Sequence, residues 1–270
     1  TKSNTFNDSD TLIKDVDAII ALSPMSSPDH IENFVRNAKH VLFEPSHFFS
    51  KEETERLVNI IDEVDVKVQP SLDKRYNMAY VAVRPFVKAP RLIVSNHFVE
   101  YSSKENISVL HDILLNDIDL VLSLVNSEIK SVHAVSASIN KTSNDIVNVR
   151  IEFNNKSVAQ FNAGRIAIEP KNEIYFYQNN NFVYADLLNR NAYVARKING
   201  NSDFGLFSTQ KNDLFCDPVP IGQTSANLSS VKAFADSIVK NKSPEVNLET
   251  MMRTFSVLQI IAEKLKILSH

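Results

Sequence analysis

Between residues 17 and 72, short apolar runs alternate with amphipathic stretches. DAIIALS (17–23), HVLFE (40–44) and VKVQPSL (66–72) are brief and rich in Val, Ile, Leu and Phe, and each predicts a buried strand. Between them, SPDHIENFVRNA (27–38) predicts a helix opened by Ser27 and Pro28. SKEETERLVNIIDEV (50–64) predicts a second helix, with Ser50 as N-cap and Glu53, three residues on, as its capping-box partner. Strand, helix, strand, helix, strand is the signature of parallel βαβ units. The order reads as the later half of a doubly wound sheet whose first units are absent.

After a helical link, DKRYNMAYVAVRPF (73–86), the texture changes. RLIVSNHF (91–98) predicts a strand and SVLHDILLNDIDLVLSLV (108–125) a long, largely buried helix. Six β-rich runs follow, over 131–139, 145–153, 158–167, 172–178, 181–188 and 192–198. In IVNVRIEF, Val147, Val149, Ile151 and Phe153 alternate with Asn148, Arg150 and Glu152, giving one apolar and one polar face. That alternation predicts an antiparallel sheet. Leu248, Met251, Phe255, Leu258, Ala262 and Leu265 then form one helical stripe within 247–268, and core packing explains it better than a coiled coil of only about three heptads. The expected fold class is α/β, with an incomplete parallel sheet over 1–72 followed by an α+β domain over 73–270. That second domain carries a large, mainly antiparallel sheet, and C-terminal helices pack back on the core.

Composition narrows the function. With 270 residues, 43% of them apolar, the chain can bury substantial cores. Its 29 basic and 32 acidic residues give a net charge of −3 with no block of one sign, so nothing marks a nucleic-acid partner. No apolar run reaches the ~20 residues that span a bilayer, and the lone Cys216 fits a reducing compartment, so the expected location is cytoplasmic. Thr1 stands where an initiator Met is expected, so the chain reads as a piece of a longer one. Gly is scarce, 4 where average usage of about 7% would give roughly 19. None precedes Gly164, which excludes a glycine-rich phosphate loop from the first half of the chain.

In order and spacing, DAIIALSPMSS, AKHVLFEPS, VQPSLDKRYNMAY, HDILLNDIDLVL, DIVNVRIEF and FNAGRIA resemble the Gfo/Idh/MocA group of nicotinamide-dependent sugar oxidoreductases, over nearly the whole chain from about residue 8. The resemblance implies a Rossmann-like domain that binds NAD(P), with cofactor contacts at Ser23, Pro24, Glu44 and Gln69. It also implies a second domain whose open sheet binds substrate and pairs subunits into a homodimer or higher homo-oligomer. Arg75, Asn77, Asp112 and Arg165 match positions that line the substrate cleft.

Several positions depart from the group's pattern. Its Glu-Lys-Pro motif falls on Glu44, Pro45 and Ser46, so proline stands where a lysine would polarise the reacting hydroxyl. Its Asp-x-x-x-His-Asp motif falls on Asp112, Asn116 and Asp117, so an amide stands where an imidazole would take the proton. A further His of the group is Leu72 here, and Ser71 replaces a Gly. Asp112, Asn116 and Pro45 are therefore degenerate catalytic positions, and Asp112, Asp117 and Asp119 fit structural caps and ion pairs better than catalysis. Arg75 and Arg165 are equally able to clamp an anionic ligand or to form ion pairs. No His or Cys pattern marks a metal site, and the aromatics of YFYQNNNFVY fit a core or subunit interface better than base stacking. The expectation is a diverged member that holds a sugar-like ligand, scaffolds or dimerises. The alternative is an active NAD(P)-dependent oxidoreductase acting on a sugar or nucleotide-sugar hydroxyl.

Overall fold

The computed structural model describes residues 9–22, 27–45, 49–101, 108–139, 144–179, 181–197 and 214–268. The chain forms two compact units, one of residues 1–72 with 227–255, the other of 73–226 with 256–270.

In the first unit, helix α1 (Ser9–Lys14) precedes strand β1 (Ala18–Ala21), helix α2 (Pro28–Arg36), strand β2 (His40–Phe43), helix α3 (Lys51–Val64) and strand β3 (Val68–Pro70). The strands are parallel in the order β1-β2-β3. Helix α2 buries Ile31, Phe34 and Val35, and β2 buries Val41, Leu42 and Phe43. The box at the start of α3 closes in both directions: Glu53 N donates to Ser50 Oγ at 3.1 Å and Ser50 N donates to the Glu53 carboxylate at 2.7 Å. The helix ends at Asp65, which takes the left-handed conformation with φ 55°.

The second unit opens with a 3₁₀ turn (Asp73–Tyr76), helix α4 (Met78–Val83), a second 3₁₀ turn (Arg84–Phe86) and strand β4 (Leu92–Phe98). A π-helical turn (Val109–Leu114) then runs into helix α5 (Leu115–Leu124). The continuous helix expected over 108–125 is thus wound in two ways, and a π turn is a feature that often accompanies functional sites. Strands β5 (Ile129–Ala137), β6 (Ile146–Phe153), β7 (Val158–Gly164), β8 (Lys171–Tyr177), β9 (Asn181–Asp186), β10 (Asn191–Lys197) and β11 (Leu214–Pro218) follow.

With β4 they form one eight-stranded sheet in the order β11-β10-β9-β8-β4-β7-β6-β5, antiparallel except for the β4–β7 pair. Val147, Val149, Ile151 and Phe153 are all buried, as their alternation requires. The opposite face carries two rows in register. Asn148 donates to Asn162 at 2.5 Å and Asn162 to Asn96 at 2.7 Å. Tyr175, Tyr184 and Tyr193 stand side by side, with ring centroids 4.8 and 6.1 Å apart.

Helices α6 (Ala226–Val239) and α7 (Leu248–Leu268) end the chain. Neither α6 nor β11 is among the elements that the apolar pattern announces. No helix among the described residues is long and apolar enough to cross a membrane.

Candidate functional site

Helix α5 is apolar, yet it carries Asp117 and Asp119, only 2% and 1% exposed. A buried carboxylate requires partners that replace its water. The 3₁₀ turn supplies them from two consecutive residues. Arg75 meets Asp119 with both prongs of its guanidinium, Nε to Oδ2 and Nη2 to Oδ1, each at 2.6 Å. Lys74 bonds directly to Asp117, and its Nζ lies 3.0 Å from His97 Nδ1.

His97 Nδ1 faces both Lys74 and Asp117, and a backbone hydrogen bond with Ile113 also engages the ring. Asp117 Oδ2 lies 3.2 Å from the same Nδ1. Burial, with the lysine charge added, pushes the imidazole pKa from 6.5 down to about 2. Burial also pushes the Lys74 ammonium well below its ordinary value. The cluster thus brings the basic side chains of Lys74 and Arg75 onto the carboxylates of Asp117 and Asp119, with the His97 imidazole beside them.

Two amide oxygens beside this network are buried without a hydrogen-bond partner, Asn116 Oδ1 and Asn172 Oδ1. Asn116 precedes Asp117 on α5, and Asn172 is the cross-strand neighbour of His97. Such acceptors suit hydroxyl or amide donors of a ligand.

The remaining sequence-derived positions have other tasks. Asp112 is exposed and turns its carboxylate back onto Ser108 N at 2.6 Å, capping the π turn. Asn77 caps α4 through Ala79 N and donates to the Leu187 carbonyl at 2.9 Å. Arg165 pairs with Asp145 at 2.9 Å, so both arginines considered as anion clamps are engaged by carboxylates. Gln69 is fully buried and donates to the carbonyl and hydroxyl of Ser230, both at 3.3 Å. Glu44 is exposed and Pro45 buried. Ser23 and Pro24 lie outside the described residues.

Lys74 and His97 are members of the cluster that the linear motifs did not single out. The signal was present: two carboxylates in an apolar helix and two adjacent cations in DKRY require each other once both segments are buried.

A dinucleotide's diphosphate is best held by backbone N–H groups at a glycine-rich turn. No glycine precedes Gly164, and among the described residues at the C-terminal ends of β2 and β3 the polar side chains are those of Glu44, Gln69 and Ser71. These described residues do not fit that group.

No family model matches the chain. A relative, the UDP-N-acetylglucosamine 3-dehydrogenase of Acidithiobacillus ferrooxidans, is 24% identical over 199 residues, covering 73% of this chain. The match spans 64% of the relative's length, less than two thirds. The solved structure of that enzyme superposes with a TM-score of 0.87 at 20% identity, covering 98% of this chain and 84% of its own. An aldose-aldose oxidoreductase from Caulobacter crescentus, complexed with glycerol, gives 0.75 at 16% identity, covering 95% and 80%. A 3-ketoreductase from Actinomadura kijaniata, in complex with NADP, gives 0.71 at 15% identity, covering 96% and 81%.

Proposed function

We infer, for a chain with the fold of the Gfo/Idh/MocA-type oxidoreductases and a sequence relative among them, a protein that holds a sugar or nucleotide-sugar in its larger unit without driving hydride transfer through its own side chains. The observation that carries this reading is the closed state of the Lys74–Asp117–His97 cluster. Oxidising an alcohol requires a group that takes the hydroxyl proton as the hydride leaves. Asn116 is an amide and cannot. Pro45 has no donor to polarise the oxygen. His97 is within the fold, but its Nδ1 lies against Lys74 and Asp117, and burial beside the lysine pushes its pKa down to about 2, which makes it a poor base at neutral pH. Loss of a general base costs on the order of 10² to 10⁴ in rate.

The polar groups that remain suit binding. The unpartnered acceptor oxygens of Asn116 and Asn172 beside the cluster suit ligand hydroxyls. The open sheet face around Tyr177 fits pairing with a second copy, and the lone Cys216 fits a cytoplasmic setting.

A second reading is an NAD(P)-dependent dehydrogenase acting on a nucleotide-sugar hydroxyl. It is favoured by the similarity to a UDP-N-acetylglucosamine 3-dehydrogenase. Calorimetric titration of the full chain with UDP-N-acetylglucosamine, NADH and NADPH separates the two. The binding reading expects heat from the sugar nucleotide and none from either dinucleotide. Micromolar binding of NADH or NADPH would favour the dehydrogenase.

A further inference from the structure

A cavity of about 270 Å³ opens at the β10–β11 end of the large sheet, lined by residues that include Arg190, Asn191, Tyr193, Pro218, Val219 and Gln223. It shares no residue with the cluster at Lys74, so the two sites stand or fall separately.

Its chemistry follows from how the β9–β10 turn is built. The buried Asp186 carboxylate accepts from Leu188 N at 3.0 Å, Asn189 N at 2.8 Å and the Asn189 side chain at 2.9 Å. That carboxylate is therefore committed to the turn. Arg190 follows in the left-handed conformation, φ 57°, and is exposed. One of its N–H groups reaches the Gln223 carbonyl at 3.4 Å, a long bond from a side chain with five donors. No Asp or Glu lines the cavity, so an anion entering it meets a cation with no competing carboxylate in the wall.

Tyr193 supplies a second surface of a different kind. Its side chain is 38% exposed, and its ring is stacked on Tyr184 at 6.1 Å with an interplanar angle of 22°. Tyr184 is braced in turn by Tyr175. The ring is thus held in place while part of it stays open, as a platform for a sugar or base requires. Asn191, between Arg190 and Tyr193 in the chain, adds an amide donor and acceptor.

We propose that this cavity binds a phosphorylated sugar or nucleoside, with the phosphate on Arg190 and the ring against Tyr193. The test is calorimetric titration of the full chain with uridine diphosphate, glucose 1-phosphate and inorganic phosphate. Arg190→Gln is expected to weaken all three at least tenfold. Tyr193→Leu is expected to weaken the two ring-bearing ligands about as much and to leave inorganic phosphate unchanged, whereas Tyr193→Phe keeps the ring and keeps binding. Each variant's melting temperature, read alongside, confirms that it is folded. Tighter binding of uridine diphosphate would identify a nucleoside ligand, and tighter binding of glucose 1-phosphate a sugar phosphate. Absence of binding at millimolar concentration, or binding indifferent to Arg190→Gln in a folded variant, overturns the proposal.

Discussion

Replacing Lys74 with Met keeps the length of the side chain and removes its charge, leaving the carboxylate of Asp117, 2% exposed, without its cation. His97 Nδ1, 3.2 Å away, carries no full charge to replace the lysine while the imidazole stays neutral. Breaking a buried ion pair by deleting one partner costs about 3–5 kcal/mol. At about 2–4 °C per kcal/mol for a unit of this size, the melting temperature should fall by roughly 6–20 °C. The double variant Lys74→Met with Asp117→Leu removes both charges and should recover most of that loss, because a matched apolar pair avoids the desolvation of either ion. Differential scanning calorimetry of the four members of the cycle at pH 7 measures both. A single-variant loss below about 1 kcal/mol, the range of exposed pairs, would show that the cluster is open to water and would refute the reasoning.

Three further outcomes follow from particular contacts. The unfolded imidazole of His97 takes a proton below pH 6.5, while the folded one stays neutral down to about pH 2; stability should therefore fall with pH through that window by up to about 1.4 kcal/mol per pH unit, and His97→Gln should lower that slope in chemical denaturation. Gly164→Ala should destabilise by about 1–3 kcal/mol, because its new Cβ would lie 2.9 Å from the Phe98 ring and 3.2 Å from the Asp145 carbonyl; a neutral effect in a denaturant titration would mean that Phe98 yields freely. Tyr177, 41% exposed on the open face, changed to Glu should convert a dimer to a monomer in sedimentation velocity, and a wild-type monomer at high concentration would remove the pairing surface.

Elements with a strong local signature were legible in the sequence. The capping box of α3 is local chemistry, complete in Ser50 and Glu53, and the alternation in β6 states its own buried face. The parallel pairing of β4 with β7 was not legible, since register between distant strands is set by tertiary contacts. Helix α6 escaped because its interior is punctuated by Ser229, Ser230 and Ser237, which blur an apolar stripe, and the π winding before α5 leaves no periodic mark over so few residues. The site divides in the same way. Asn116 and Pro45 could be read by position, as could the carboxylates of α5. The engagement of those carboxylates by Lys74, Arg75 and His97 becomes visible only when the turn after β3, the end of β4 and the start of α5 are brought together.

Under the proposed function, this site would retain ligand-binding groups without a working proton acceptor. The most direct measurement mixes the full chain with UDP-N-acetylglucosamine and NAD or NADP and follows reduced-nicotinamide absorbance over many enzyme equivalents of time. A flat trace is the expected result. Sustained formation of reduced nicotinamide in step with oxidised sugar, abolished by Asn116→Leu, would contradict it.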